Sequence, residues 1–348
     1  MRMRPKMRIR QGIAVLLLAA PWFPAAGWAQ LAPSPDAAPV STAPAPTPSD
    51  QPEATFKVNV NLVDVFFTVK DKNGNLVPHL TKADCTIDED KQPQTLKSFV
   101  AETDQPLTLG ILLDTSASQT NVLPLEQDAG SQFLDRVLRT KDEAFLVSFD
   151  VNVDLLQDYT NSGRQLARSM NKAQINAGVG GFGSGPVPSS NPRGTLLYDA
   201  IDLAANEKLN QETGRKAMII LTDGDDQGSK TKISDAIAAA NKNNIIVYVI
   251  LIADRGFYGG FGMGYWGYSA AKRIADETGG RLIDVGNNGP KLQAAFEQIQ
   301  DELRTQYVAS YTPSNAKLDG TFRRLGVECG AGTKAQVRKG YFAPSGGN

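Results

Sequence analysis

Hydrophobic residues between 105 and 306 follow two alternating patterns. Short, continuous apolar runs are typical of strands buried on both faces of a parallel sheet. Such runs occupy residues 107–113, 144–149, 217–221, 245–252 and 282–285. Amphipathic stretches between the runs predict helices, at residues 122–138, 163–173, 196–209, 233–241, 270–278 and 292–304. With an edge strand near 153–159, this alternation predicts an open, doubly wound and mostly parallel α/β sheet.

The segments on either side of this region have a β pattern instead. Residues 55–104 alternate apolar and polar positions, and Asn73-Gly74 supplies a tight hairpin turn. Residues 307–344 contain three further candidate strands, at 307–311, 322–328 and 335–341. Neither piece is large enough to fold alone. We therefore expect the two pieces to pair into one small β annex beside the α/β domain.

The first 54 residues differ from the rest of the chain. Residues 1–29 combine five basic residues, an apolar run and a small-residue end at Ala29, as a secretory signal peptide does. Residues 30–54 hold seven prolines among Ala, Ser and Thr, which is typical of an extended linker. The sequence contains no second apolar span, and we expect an exported protein that is periplasmic, in the cell envelope or extracellular.

Composition and net charge argue against several classes of function. The 348 residues are 41% hydrophobic and 21% charged, which is ordinary for a globular protein. Without the five basic residues of 1–29, 31 Lys and Arg face 37 Asp and Glu, a net charge of −6 that disfavours nucleic-acid binding. Two cysteines exclude a zinc ribbon, and a single histidine, His79, excludes most His-based catalysis.

Polar residues that could bind a metal follow the predicted strands. Asp114, Ser116 and Ser118 come directly after the first apolar strand, Thr195 opens a helix, and Asp223 follows the strand at 217–221. Ligands bind doubly wound sheets beyond the carboxyl ends of the strands. Asp, Ser and Thr supply the oxygen ligands that suit Mg²⁺, and also Mn²⁺ or Ca²⁺.

These five residues resemble the metal-ion-dependent adhesion site of von Willebrand factor type A domains. The resemblance covers roughly residues 106–305, and none of the five departs from the family's motif. It implies that the hydroxyls of Ser116, Ser118 and Thr195 coordinate the ion. Asp114 and Asp223 would bind it directly or through water, and a carboxylate from a partner protein would complete the shell.

The flanks resemble a bacterial exported subfamily of such proteins. The similar stretches include Asp71-Lys72-Asn73-Gly74, residues 307–313 and Lys339-Gly340-Tyr341. One departure is Cys85, where the subfamily usually has an aromatic residue. Export would allow Cys85 and Cys329 to form a disulfide across the annex, while two buried free thiols are the alternative.

Two Gly-rich segments lie near the predicted site, at 178–185 and 256–268. The second is rich in aromatic residues, which could form the rim of a partner-binding surface. The candidates are Phe257, Tyr258, Phe261, Tyr265 and Trp266. Mobile surface loops, packing at the sheet edge or a contact with another domain are the alternatives.

Two classes of enzyme have a similar arrangement of residues, but each needs a residue that this sequence does not place at the required position. Phosphoaspartyl phosphatases need a second Asp two positions after the first, and here that position is Ser116. A serine hydrolase would need a base beside Ser116, whereas His79 lies in the annex. We therefore expect a non-enzymatic module that binds a partner protein through its metal. The alternative is a scaffold subunit of a cell-envelope assembly whose metal only stabilises the fold; the oligomeric state stays open.

Overall fold

The described part of the chain begins with four strands. A computed structural model describes residues 62–101, 105–176, 194–253 and 267–345, so the predicted signal peptide and linker lie outside it. The strands are β1 (Val63–Asp71), β2 (Cys85–Glu89), β3 (Gln92–Pro93) and β4 (Leu96–Ala101). Buried and exposed residues alternate at the start of β1 and along β2, which is the pattern of strands with one face on a core.

The next region alternates strands and helices. In chain order these are β5 (Leu107–Asp114), α1 (Leu123–Val137), β6 (Glu143–Phe149), β7 (Val153–Thr160), α2 (Gly163–Met170), α3 (Leu197–Leu203), β8 (Arg215–Thr222), α4 (Ile233–Lys242), β9 (Ile245–Leu251), α5 (Gly267–Thr278), β10 (Leu282–Asp284) and α6 (Gly289–Arg304). None of the helices in the described ranges is long and apolar enough to cross a membrane.

One sheet organises this region. Its strand order is β10-β9-β8-β5-β6-β7, and only β7, on the edge, runs antiparallel to its neighbour. Every residue of β5 and β9 is buried, and so is every residue of β8 except one. The reason is that helices cover both faces of the sheet. The order reverses at β5, whose neighbours are β6 and β8. The predicted doubly wound, mostly parallel α/β fold is confirmed.

Two apolar layers hold the helices to this sheet. On one face, Leu109 and Ile111 pack beneath α1, α2 and α6, where the rings of Phe133 and Phe296 stack with centroids 4.6 Å apart. On the other face, Leu112 and Phe145 pack against α3, α4 and α5. The sheet edge that carries the candidate site is therefore fixed from both sides.

The chain then returns to β structure. The last strands are β11 (Tyr307–Tyr311), β12 (Phe322–Cys329), β13 (Thr333–Val337) and β14 (Gly340–Phe342). They pair with the first four strands into two antiparallel sheets, β13-β1-β11-β4 and β14-β12-β2-β3. The annex formed by both flanks is as predicted, but it consists of two sheets.

One predicted strand of the annex is interrupted. The run expected at 335–341 divides into β13 and β14 because Arg338 turns towards the α/β domain. Its guanidinium donates to the carbonyl of Asn241 (3.0 Å), to Oδ1 of Asn244 (2.7 Å) and to the carbonyl of Asp64 (2.9 Å). A single side chain thus joins β1, α4 and the end of the chain.

A buried polar cluster lies in the core of the annex. Glu89 accepts hydrogen bonds from the phenols of Tyr311 (2.7 Å) and Tyr341 (2.8 Å) and from Arg323 (3.1 Å). Burial, and then the bond to Glu89, raises the pKa of Tyr341 to about 12. Each group in the cluster finds its partner on a different strand, so the cluster links the two annex sheets.

The two annex halves are also joined covalently. Cys85 on β2 and Cys329 on β12 are opposite residues in the strand pairing, and their sulfurs form a disulfide across a sequence separation of 244. On the other side of the annex, Glu302 of α6 pairs with Lys70 of β1 and with Arg281, both at 2.8 Å. These contacts hold the annex against the α/β domain.

Candidate metal centre

The two predicted acidic ligands follow neighbouring strands at the carboxyl edge of the central sheet. Asp114 is the last residue of β5, and Asp223 comes directly after β8. Both side chains are buried, with Asp114 0% and Asp223 1% exposed. The strand order reverses at β5, so the acids occupy the position at which doubly wound folds bind ligands.

The loop after β5 brings its hydroxyls together. Oδ1 of Asp114 accepts the backbone N–H of Ser116 at 3.0 Å, which folds the loop back over the end of the strand. The hydroxyls of Ser116 and Ser118 then lie 2.9 Å apart. Ser116 is 4% exposed and Ser118 is partly exposed, so this pair lies between the buried carboxylates and the surface.

Thr222, the last residue of β8, joins the two acidic loops. Its hydroxyl donates to Oδ2 of Asp114 at 2.6 Å and accepts the backbone N–H of Gly224 at 3.0 Å. Gly224 has φ of +81°, and a Cβ there would lie 2.5 Å from the carbonyl oxygen of Gly267. Only glycine fits this turn. Backbone geometry therefore fixes where Asp223 projects.

Thr195 is held to the same loop. Its backbone N–H donates to the carbonyl of Gln227 at 3.0 Å, and the N–H of Gln227 donates back at 2.9 Å. The next residue, Leu196, donates to the carbonyl of Asp150 at 2.8 Å and leads into α3. Thr195 is 6% exposed, so the structure places this third hydroxyl residue beside the loop that carries Asp223.

Comparison with known proteins agrees with this geometry. Residues 109–260 match the model of the von Willebrand factor type A domain. This part of the chain is similar to type A domains. No curated protein matches the chain.

Solved structures show similar folds at low identity. BatB, a conserved hypothetical protein from Bacteroides thetaiotaomicron, is 18% identical over 57% of this chain and 99% of its own, with a TM-score of 0.44. An aerotolerance-related membrane protein from Bacteroides fragilis is 20% identical over 57% and 98%, with a TM-score of 0.42. Proximal thread matrix protein 1 from the mussel byssus, described with a zinc-occupied MIDAS motif, is 16% identical over 62% and 50%, with a TM-score of 0.46.

The electrostatics of the α/β domain favour a cation at this edge. Burial, together with the nearby charge of Asp223, raises the pKa of Asp114 to about 7, although hydrogen bonds from Ser116 and Thr222 oppose the rise. Two buried acids held this close repel each other when both are ionised. A divalent cation between them would remove that repulsion.

The residues at this edge of the sheet carry donor atoms that fit such an ion. In the described ranges, no three His, Cys, Asp or Glu side chains are clustered closely enough to hold a metal by themselves. The hydroxyl residues that the structure places at this edge are Ser116, Ser118 and Thr195. An all-oxygen set of two carboxylates and hydroxyls suits a hard cation such as Mg²⁺.

Three polar residues at this edge were not predicted. Thr222 directs Asp114, as described above. Gln119 and Glu126 lie behind the loop that follows β5 (residues 115–118, here called the metal loop because it carries two candidate ligands), and both are 0% exposed. Glu126 could have been found from its position in α1. It lies three residues after Leu123 and three before Ala129, within the apolar face that packs on the sheet. An acid in such a face is a signal of function.

The predicted partner rim falls outside the part of the chain that the structure describes. Phe257, Tyr258, Phe261, Tyr265 and Trp266 lie outside the described residues, as does the Gly-rich segment 178–185. The nearest described aromatic, Tyr268 in α5, is 42% exposed. His79 is exposed in the annex, and its own backbone φ is 65°.

Proposed function

We propose that this protein binds a protein partner through a divalent cation held by Asp114, Ser116, Ser118, Thr195 and Asp223. The observation that carries the proposal is the pair of buried acids, with hydroxyls between them and the surface. Two carboxylates neutralise the charge of a divalent cation, and the hydroxyls add none. The ion keeps room for one more ligand, and a carboxylate of the partner is a hard oxygen donor that can occupy that position.

We propose Mg²⁺ as the ion, with Mn²⁺ and Ca²⁺ as competitors. Magnesium prefers oxygen donors and few carboxylates, and it retains bound water that a ligand can replace. The disulfide and the basic, apolar N-terminal segment support an exported protein, in a compartment where disulfides persist. Mg²⁺ and Ca²⁺ are both available outside the cytoplasm.

The experiment has two stages. Calorimetry with Mg²⁺ compares the wild type with Asp114→Ala, which should lose binding, and with Asp135→Ala, an exposed acid on α1 that should bind normally. Envelope and extracellular proteins are then captured on each variant with and without EDTA. A partner retained by the wild type and Asp135→Ala, and released by EDTA, supports the proposal. Capture of the same proteins in the presence of EDTA, and by Asp114→Ala, contradicts the proposal.

A scaffold role is the second candidate, and the burial of both acids favours it. If the ion only stabilises the fold, Mg²⁺ should raise the melting temperature while free acetate or glutamate has no effect on the bound ion. In the binding role, a carboxylate ligand shifts the spectrum of Mn²⁺ placed in the site. Electron paramagnetic resonance of the Mn²⁺ form with added glutamate separates the two.

We propose binding rather than catalysis, because Ser116 occupies the position at which a phosphoaspartyl phosphatase has its acid. Turnover of a phosphate ester that disappears in Asp114→Asn would contradict this part of the proposal.

A further inference from the structure

Two buried polar side chains behind the metal loop have no partner within the described residues. They are Gln119, whose amide oxygen and nitrogen both lack a hydrogen bond, and Glu126, whose carboxylate oxygens both lack one. Each residue is 0% exposed. A buried carboxyl group without a hydrogen bond destabilises a fold whether it is ionised or protonated. Such groups point to a water molecule or an ion in contact with them.

The backbone places both residues on the face that continues from the metal loop. The N–H of Gln119 donates to the carbonyl of Ser116 at 3.0 Å, and that of Val122 donates to the carbonyl of Gln119 at 3.0 Å. The N–H of Glu126 donates to the carbonyl of Val122 at 3.1 Å. Residues linked by such turns lie one above the other. Gln119 and Glu126 thus follow Ser116 along one buried line.

Glu126 lies within electrostatic reach of both predicted acidic ligands. Burial is the first cause that raises the pKa of Glu126 well above its usual value, and the charges of Asp114 and Asp223 are the next. Yet these three acids do not form a cluster tight enough to coordinate one ion together. A water molecule bound to the ion could link Glu126 to the site without direct coordination.

We infer that Glu126 is a positioning residue of the metal site, whose carboxylate accepts hydrogen bonds from water bound to the ion, with Gln119 orienting that water. Magnesium keeps several waters in protein sites, and acids that hold such waters raise the affinity for the ion. The inference rests on the proposed metal site and adds a third acid to it. It also explains why an acid and an amide occupy positions at which leucine would stabilise the core more.

The test measures metal affinity and metal-free stability in the same variants. Glu126→Gln keeps the shape of the side chain and removes its charge. We expect it to weaken Mg²⁺ binding by roughly 10- to 100-fold in calorimetry, without lowering the melting temperature of the metal-free protein. Glu126→Leu, which removes the polar group altogether, should raise that metal-free temperature and weaken Mg²⁺ binding at least as much.

The matched control is Glu302→Gln. Glu302 is the same residue type and is equally buried, but it pairs with Lys70 and Arg281 at the annex. Its replacement should lower the metal-free melting temperature and leave Mg²⁺ affinity unchanged. The opposite pattern in the two variants separates a role at the metal from a role in packing.

The outcomes are distinguishable from those of the proposed function. If the wild type binds Mg²⁺, Asp114→Ala does not, and both Glu126 variants bind with wild-type affinity, this inference is wrong and the metal site stands. If the wild type binds no divalent ion, the proposed function fails first. If the Glu126 variants lose affinity and Glu302→Gln does not, Glu126 belongs to the metal site.

Discussion

Replacing Asp114 by asparagine should stabilise the metal-free protein, and the gain should grow with pH. Asp114 has a folded-state pKa of about 7 because burial and Asp223 oppose its ionisation. In the unfolded chain an aspartate has a pKa of about 3.9. The folded protein therefore binds this proton more tightly than the unfolded chain does. Metal-free stability falls as the pH rises from about 4 to about 7, and the loss is complete above that.

The size of the effect follows from the two pKa values. A difference of about three pKa units corresponds to roughly 4 kcal/mol at full ionisation. Between about pH 4.5 and pH 7.5, linkage assigns about 3 kcal/mol of lost stability to Asp114. The asparagine side chain of the variant does not titrate, so the variant escapes this loss. Titrating groups distant from Asp114 act equally on both proteins and cancel in the comparison. Glu126, whose pKa the charge of Asp114 raises, adds to the difference in the same direction.

Urea unfolding at several pH values, in EDTA, measures this difference directly. The free energy of unfolding of Asp114→Asn minus that of the wild type should increase by about 3 kcal/mol over that interval. Saturating Mg²⁺ supplies the internal control, because it should stabilise the wild type at pH 7.5 and leave the variant unchanged. A difference between variant and wild type that stays constant with pH would refute the reasoning.

Three further changes test other parts of the structure. Cys85→Ser with Cys329→Ser should lower the free energy of unfolding by up to roughly 5 kcal/mol, since the bond closes a loop with a sequence separation of 244; an unchanged urea midpoint would contradict this. Glu89→Gln should destabilise the annex by about 3 kcal/mol because Arg323 loses its buried partner, and a melting temperature equal to the wild type would count against the cluster. Gly224→Ala should weaken Mg²⁺ binding at least about tenfold by moving the loop after β8; calorimetry showing wild-type affinity would mean that this turn does not position the ligand.

The α/β fold could be predicted because the pattern of apolar residues in the sequence reflects which residues are buried. Strands such as β5 and β9 are covered on both faces, so they read as unbroken apolar runs. The edge strand β7 mixes apolar and polar residues, and none of them is fully buried. The five candidate ligands stand out in the sequence for a related reason, since each stands at the end of a strand or shortly before a helix, where sheet topology collects such residues. Their role in binding a metal stays a prediction.

The other features of the site depend on contacts in the folded structure, which the spacing of residues in the sequence does not predict. In the sequence, Thr222 is only the end of an apolar strand. The folded structure shows that its hydroxyl donates a hydrogen bond to Asp114. Glu126 does break the apolar face of α1, but its lack of a partner becomes visible only when the neighbours are in place. The annex is similar, because the strand pairings that divide it into two sheets join residues more than 200 positions apart.

The position of the disulfide determines how the molecule carries mechanical load. A pull on the chain ahead of β1 and beyond β14 travels along covalent bonds from Val63 to Cys85, across the bond to Cys329, and on to Phe342. The residues between the two cysteines, which include the whole α/β domain, form a closed loop outside this path. Tension therefore acts along the outer annex segments, and the covalent path bypasses the candidate metal site. Reducing the bond would place the entire domain in series with the force.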